Sequence, residues 1–554
     1  MGSIPDTISN GQRAAAYQVN EAPCFSPKKS RVVCIGAGFS GIYMAMRLGT
    51  QACLENVDFQ CYEKNENVGG TWFENRYPGC ACDVPSHVYC YTFATNPRWS
   101  NYFSSWNEIG KYLEDVSEKY QCARFIKLRN KVESAVWNDE SAKWDLTILN
   151  DQGSIFRDSC DVLLNGAGIL NNWKLPSIKG LEKFKGATVH SAAWPKDLKI
   201  SDQRVAVIGS GSSAIQIIPS IQPIAKRVDA YLRSRTWIQP KELDPLVAER
   251  RADGLSYEYT TAEKEAFKNP QTLLAYRKKL ESNFNSLYNA LLKSSETQKE
   301  ARITFREDME KKLSRKPELI EKLIPDWEVG CRRLTPGLGY LEALCEDNVD
   351  VVANTEIAEV TETGITDDNG VHREVDVLVC ATGFDVSFKP HFGLVGRGGR
   401  NLAKDVIWGE NPQAYLTLAI PDFPNYFVFN GPNACVGNGS LIPVIETAGE
   451  YIIKAISRMQ RHGVRSLEVR RDAVADLTEH IDVYMPRTVW SGNCRSWYKN
   501  GTVDGRVTAI WPGSSLHFMD VLKDPRWEDF KWTYDSGNRF SFLGNGYVNS
   551  RTVK

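Results

Sequence analysis

Short apolar runs that end in glycine or in a single charged residue recur along this chain. Arg31-Val-Val-Cys-Ile35 runs into Gly36-Ala-Gly38-Phe-Ser-Gly41, and Ile42 to Leu48 continues apolar. That order predicts a buried strand, a tight turn and a helix. Asp58 to Tyr62 predicts a second strand, which ends in Glu63. The pattern repeats later: Gln203-Arg-Val-Ala-Val-Ile208 enters Gly209-Ser210-Gly211-Ser212-Ser213-Ala214-Ile-Gln216, and the apolar stretch Val228 to Leu232 ends in Arg233-Ser234. Asp161-Val-Leu-Leu-Asn-Gly166-Ala-Gly168 and Asp376-Val-Leu-Val-Cys-Ala381-Thr382-Gly383 predict strands that run out into glycine turns. From Glu242 to about Asp326 the period changes. Charged residues and helix formers dominate, as in Thr261-Ala-Glu-Lys-Glu-Ala266 and Thr304 to Lys312, which predicts a helical insertion with a wet face. The fold class expected is α/β, with two Rossmann-like dinucleotide-binding domains and a helical insertion in the second.

Composition and charge narrow the functional classes. The 554 residues are 42% hydrophobic, 11% aromatic and 24% charged, a globular balance with room for several cores. A formal net charge of -1 offers no electrostatic pull toward nucleic acid or an anionic membrane. Met1-Gly-Ser-Ile-Pro-Asp6 lacks the apolar core of a signal peptide, and Asp6 stands where a myristoylation motif takes Ser or Thr. No apolar run approaches the roughly 20 residues that span a bilayer. A cytoplasmic monomer with no membrane span and no nucleic-acid partner is therefore expected. The 14 cysteines lack metal-type spacing, and Cys80 and Cys82 are one residue apart rather than two, so reduced thiols and no metal site are expected.

The glycine loops carry the first chemistry. Gly36 permits the tight turn, Gly38 lets a pyrophosphate approach the backbone, and Gly41 lets helix and strand pack closely. The helix N-terminus behind them favours negative charge. Glu63 at the end of the second strand suits the two hydroxyls of an adenosine ribose and repels a 2′-phosphate, so FAD or NAD fits there and NADP does not. In the second unit Ala214 replaces the third glycine, and Arg233-Ser234 replaces the acid. A guanidinium with paired donors is what a 2′-phosphate calls for, so this unit is expected to take NADPH.

Between the two loops lies Phe184-Lys-Gly186-Ala-Thr-Val-His190-Ser-Ala-Ala-Trp194-Pro195, which fits the spacing F-x-G-x-x-x-H-x-x-x-W-P without a gap. With both loops around it, the chain resembles the Baeyer–Villiger monooxygenases over residues 30 to 520, most weakly across the helical insertion and the tail. The resemblance implies an enzyme that uses FAD and NADPH to insert one oxygen atom of dioxygen beside a ketone carbonyl, through a peroxyflavin, giving an ester or lactone. It also implies a division into an N-terminal arm (1–30), FAD-binding segments (31–165 and 385–554), NADPH-binding segments (166–240 and 329–384) and the helical insertion (241–328).

Carried across position by position, the resemblance puts Gly70, Thr71, Trp72, Asp83, Val84 and Tyr89 beside the flavin, together with Gly36, Gly38, Gly41 and Glu63. It puts Gly209 to Ala214, Gln216, Arg233, Ser234 and Arg332 at NADP. Arg333 aligns with the family's catalytic arginine, with Asp83 as the carboxylate that holds it. Trp497, in Cys494-Arg-Ser496-Trp497-Tyr498, aligns with a segment on the nicotinamide and substrate side. His190 and Trp194 are expected to couple domain rotation to the site, since a lone histidine without a carboxylate partner is more often structural. The polar N-terminal arm and the Arg-Arg-Leu-Thr-Pro variant look most like fungal members acting on bulky or polycyclic ketones of secondary metabolism.

Two other readings stay open. A related flavin monooxygenase would hydroxylate amines or oxidise sulfides, and Trp194-Pro195 argues against it. A non-catalytic NADP-binding sensor would have no use for Glu63, Asp83 and Arg333, all of which are present.

Overall fold

The protein is described from a computed structural model, which covers residues 17–240, 258–353 and 355–548. Two five-stranded parallel sheets organise it. In the first, Ser30–Ile35 lies between Val57–Tyr62 and Val162–Asn165, with Ile126–Lys127 and Tyr426–Val428 at the edges. In the second, Arg204–Ile208 lies between Arg227–Leu232 and Val377–Cys380, with Val349–Ala353 and Ala187–His190 outside them. Each glycine loop thus follows the strand from which the chain turns first to one side and later to the other. That is a topological switch point, where nucleotides bind beyond the carboxyl ends of parallel strands. The α/β class with two Rossmann-like units is as the sequence predicts.

Parallel strands are buried on both faces, which is why these segments read as unbroken apolar runs. Val32, Val33, Cys34, Val205, Ala206 and Val207 have no exposed surface. An antiparallel sheet built from Asn130–Asn138, Lys143–Asn150 and Ile155–Cys160 packs on the first parallel sheet. Trp144 joins the two: it is fully buried, and its indole N–H donates to the Pro424 carbonyl at 2.9 Å.

The part of the insertion before Glu258 lies outside the described residues, and so do residues 1–16 of the arm. The rest of the insertion is helical, with Thr261–Ala266, Pro270–Ser286 and Glu296–Lys312. It reaches both nucleotide units. Phe305, Met309 and Leu313 pack into the core of the second unit, whereas Tyr259, Phe267, Leu273 and Leu280 pack into that of the first. Arg277 is an exception to its wet face, being buried with Nε donating to the His87 carbonyl at 2.8 Å. The described part of the arm pairs with the tail, where Phe25 stacks on Phe542 with ring centroids 5.0 Å apart.

One expectation is overturned. Cys331 and Cys494 form a disulfide across 163 residues, so the thiols are not all reduced. The partners sit on separate loops brought together only by the tertiary fold, and no local spacing announces them. Twelve other cysteines are free, and no cluster of His, Cys, Asp and Glu able to hold a metal is found among the described residues. No helix among them is long and apolar enough to cross a membrane.

Trp144→Ala should destabilise the protein by about 3–5 kcal/mol, since it removes a large buried ring and orphans a buried carbonyl. Denaturant unfolding measures this, and a loss below about 1 kcal/mol would contradict the packing described.

Candidate active site

The first glycine loop is shaped by close backbone contacts. Gly36 has φ +95°, and a Cβ there would lie 2.8 Å from the Gly166 carbonyl oxygen. A Cβ on Gly41 would meet the Gly36 oxygen at 1.9 Å. Gly38 differs: its nearest neighbour would be the Gly70 Cα, at an ordinary 3.7 Å. The protein itself leaves room at Gly38, facing Gly70, which has φ +54°. This open, glycine-walled cradle at the start of the helix Phe39–Met44 fits a pyrophosphate, and the Glu63 carboxylate flanks it. Glu63 is buried, with Oε2 accepting from the Ala37 amide at 2.7 Å and Oε1 from the Asn65 amide at 2.8 Å. Burial pushes its pKa up. Each oxygen keeps a lone pair for a ribose hydroxyl.

The second loop is built alike. Gly209 has φ +141°, and a Cβ would lie 2.3 Å from the Ala381 oxygen, while nothing stands within 4 Å of a Cβ on Gly211. Gly211 and Ser212 open the helix Ser212–Ile221, in which Ala214 is fully buried. Ser212 Oγ hydrogen-bonds Thr335 Oγ1 at 2.7 Å, and Ser213 contacts the Tyr77 hydroxyl. Arg233 is exposed at the end of its strand with the half-buried Ser234 beside it. Arg332 lies nearby and donates to the Arg235 carbonyl at 2.9 Å; burial and the Arg233 charge push its pKa down.

Gln216 has a role that the sequence did not reveal. Its side-chain amide donates to the Ala81 carbonyl at 2.9 Å, and its oxygen accepts from the Tyr77 hydroxyl at 2.9 Å. Gly79 (φ +78°) comes so near this helix that a Cβ would lie 2.4 Å from the Gln216 carbonyl oxygen. The loop Tyr77–Cys82 of the first unit is therefore pressed onto the helix of the second. Asp83 follows directly. Its neighbour Cys82 is pinned through its amide to the Ser104 carbonyl at 2.9 Å, and the next residue, Val84, is buried.

Across the boundary between the units, Asp83 meets Arg333. Arg333 Nε donates to Oδ2 at 2.8 Å and an Nη to Oδ1 at 2.7 Å, a bidentate pair 250 residues apart in sequence. The Asp83 carboxylate raises the guanidinium pKa well above its ordinary value. The Arg333 side chain keeps 37% of its surface exposed, so the paired cation is not sealed off from solvent. Tyr498 also contacts it through its phenol. Burial pushes that phenol up to about 12 and the Cys435 thiol up to about 12, and the Arg333 charge works against both shifts. Trp497 is half-buried and packs against the Tyr498 ring at 4.7 Å. On the first unit's side, Trp72 Nε1 donates to the Tyr89 hydroxyl at 3.3 Å, and Thr71 begins the short helix Thr71–Glu74.

The stretch between the loops lies at the crossings between units, where Cys380 pairs with His190. A Cβ on Gly186 would meet the Asp376 carbonyl oxygen at 2.4 Å and the Phe184 ring at 2.6 Å. His190 is buried, accepts from the Ala192 amide through Nδ1 at 3.1 Å, and stacks on Trp173 with ring centroids 4.7 Å apart. Burial lowers its pKa, so the ring is neutral. Trp194 is half-buried against the second core and Pro195 is exposed.

Comparison with known proteins agrees with this geometry. Residues 29–251 match the family model for flavin-binding monooxygenase-like proteins. The FAD-binding monooxygenase tazF of Aspergillus terreus is 41% identical over 97% of this chain and 95% of its own length. A Baeyer-Villiger monooxygenase of Pseudomonas aeruginosa is 34% identical, covering 93% of each chain. The chain belongs to the FAD-binding monooxygenases, in the group that includes the Baeyer–Villiger enzymes. A solved oxidised steroid monooxygenase bound to NADP superposes with a TM-score of 0.73 at 29% identity, over 92% of this chain and 100% of the other. The two cradles thus belong to a family that works with FAD and NADP, and this chain is an FAD- and NADPH-dependent monooxygenase.

The two glycine geometries predict different failures. Gly38→Ala should fold with a melting temperature near that of the parent but purify with little flavin, because its new methyl enters the cradle rather than the protein. Gly41→Ala should lose stability outright. Thermal melting together with flavin absorbance separates them, and a Gly38→Ala protein fully loaded with FAD would refute the placement of the cradle.

Proposed function

We propose that this enzyme inserts one oxygen atom of dioxygen beside the carbonyl of a bulky or polycyclic ketone of secondary metabolism, yielding an ester or lactone. The observation that carries the reading is the bidentate Arg333–Asp83 pair, in which the arginine side chain stays partly exposed. The fungal source of tazF and the steroid enzyme among the structural matches support the choice of substrate class.

FAD would be held by the Gly36–Gly41 loop, Glu63, Gly70, Thr71, Trp72, Val84 and Tyr89, and when reduced by NADPH it supplies the dioxygen-activating chemistry. The chain's own residues do the rest. Arg333 presents a charge that cannot be lost at any working pH to the oxyanion that develops on a ketone carbonyl under nucleophilic attack. Asp83 fixes the plane of the guanidinium, so that little reorganisation is needed as charge builds. Lysine would offer a point charge without the fork. Trp497 would wall the substrate and nicotinamide side. His190, held between the two crossings, would couple rotation of the units to the site.

Arg233, Ser234 and Arg332 would take the 2′-phosphate of NADPH. The repulsion between the two guanidiniums is relieved by a dianion between them. Arg233→Ala should raise KM for NADPH about 10- to 100-fold, the worth of a charge-assisted contact, and leave KM for NADH almost unchanged. Steady-state kinetics with both coenzymes checks this, and an unaltered preference would remove the assignment.

Arg333→Ala should keep flavin reduction by NADPH and lose ester formation by at least about 100-fold. Stopped-flow reduction and product mass analysis with a panel of cyclic ketones test it, and retained oxygenation would take Arg333 out of the mechanism. Turnover of a tertiary amine or sulfide in place of every ketone would favour the related hydroxylating chemistry.

A further inference from the structure

The Cys331–Cys494 disulfide stands apart from the cofactor cradles, yet both of its ends adjoin the Arg333 site. Cys331 lies two residues before Arg333 on the loop that follows Glu328, and Cys494 lies three and four residues before Trp497 and Tyr498. Both sulfur-bearing residues are buried, with Cα atoms 6.3 Å apart. The bond therefore joins the loop that carries the guanidinium to the segment whose Tyr498 contacts it.

That segment is stiff within itself. Lys499, buried, donates from Nζ to the carbonyls of Gly492 and Val503, both at 2.5 Å, and so cinches the turn that presents Trp497 and Tyr498. Burial lowers the ammonium's pKa, and the two carbonyls occupy its donors. Gly492 is pressed against the arginine loop: a Cβ there would lie 2.4 Å from Glu328 Oε2 and 3.2 Å from Cys331 Sγ. Elsewhere the segment is tied by lone hydrogen bonds, among them Asn500 Nδ2 to the Gly409 carbonyl at 3.0 Å and the Thr508 amide to the Tyr498 carbonyl at 2.9 Å. The arginine loop has its own ties, Arg332 to the Arg235 carbonyl and Thr335 to Ser212. These hold it to the second unit but not to the Trp497 segment.

We propose that Cys331 and Cys494 are positioning residues for the oxygenation step. Their disulfide makes the Arg333 loop and the Trp497–Tyr498 segment one body, so the guanidinium keeps its Asp83 and Tyr498 neighbours while the two units move. Reduction by a dithiol delivers two electrons and two protons, leaves both residues as thiols and converts the reagent to a cyclic disulfide. The arginine loop and the Trp497 segment then lose their covalent link and keep the Gly492 packing and the Tyr498 contact, which are free to shift. Flavin reduction, which depends on the cradles, continues. Oxygen transfer, which depends on Arg333, fails, and the electrons of NADPH leave as hydrogen peroxide: NADPH, a proton and dioxygen give NADP⁺ and hydrogen peroxide.

The inference rests on the monooxygenase reading above, and its test separates the two. Alkylation of the denatured holoenzyme, purified without reductant, should label two fewer thiols than the 14 in the sequence, with all 14 labelled after reduction. Peptide mass analysis should show the peptides of Cys331 and Cys494 joined. This readout is independent of catalysis. The double variant Cys331→Ser/Cys494→Ser should then reduce its flavin within twofold of the parent rate but give at least fivefold less ester per NADPH oxidised, with the difference recovered as hydrogen peroxide. If the double variant does not fold, the parent enzyme reduced with dithiothreitol and reoxidised carries the comparison: its ester yield should fall and return. Fourteen labelled thiols before reduction, or an unchanged ester-to-NADPH ratio in the reduced state, would overturn the proposal. A parent enzyme that makes no ester from any ketone would instead overturn the function, while the thiol count would still judge the bond.

Discussion

The site depends on one ion pair that spans the boundary between two nucleotide-binding units. Asp83 belongs to a loop of the first unit and Arg333 to a loop of the second, and the two side chains meet through a pair of hydrogen bonds. A carboxylate and a guanidinium at this depth cost desolvation, which only good geometry recovers. Here the geometry is two parallel hydrogen bonds. Because the Arg333 side chain stays partly exposed, the pair reads as an arrangement kept for chemistry more than for stability. It also sets the protonation state: beside Asp83, Arg333 remains a cation across the whole working range.

The pair can form because the units are pressed together at one place. Gly79, Tyr77 and Ala81 meet the helix Ser212–Ile221 through Gln216, with no room for a side chain at position 79. The insertion spans the same divide, with one end in each core. The chain crosses between the units twice, and His190, buried beside these crossings, stacks on Trp173.

Much of this was legible in the sequence, for reasons that differ from residue to residue. Glycine loops are local: Gly36, Gly41 and Gly209 are required by contacts within a few residues or with an adjacent strand, so their spacing carries the information. Glu63 and Arg233 were legible because a strand end fixes where a side chain stands. Arg333 and Asp83 are 250 residues apart, and only likeness to a family joined them. The disulfide had no such aid. Its cysteines lie 163 residues apart among a dozen others, and the expectation of reduced thiols followed from spacing alone. Gln216 was placed beside NADP by the resemblance, and its side-chain bonds to Ala81 and Tyr77 of the other unit had no signal in the sequence. Tyr498 had no role assigned from sequence, and only the fold shows it against the guanidinium.

The most direct test of the central pair is a double-mutant cycle on single-turnover ester yield, using Asp83→Ala, Arg333→Ala and the combination. If Asp83 acts by holding Arg333, the combined variant should be no worse than Arg333→Ala alone, with a coupling of at least about 1.5 kcal/mol between the two sites. Losses that simply add, each variant subtracting its own share, would mean that the two residues work independently and that the ion pair is not what places the charge.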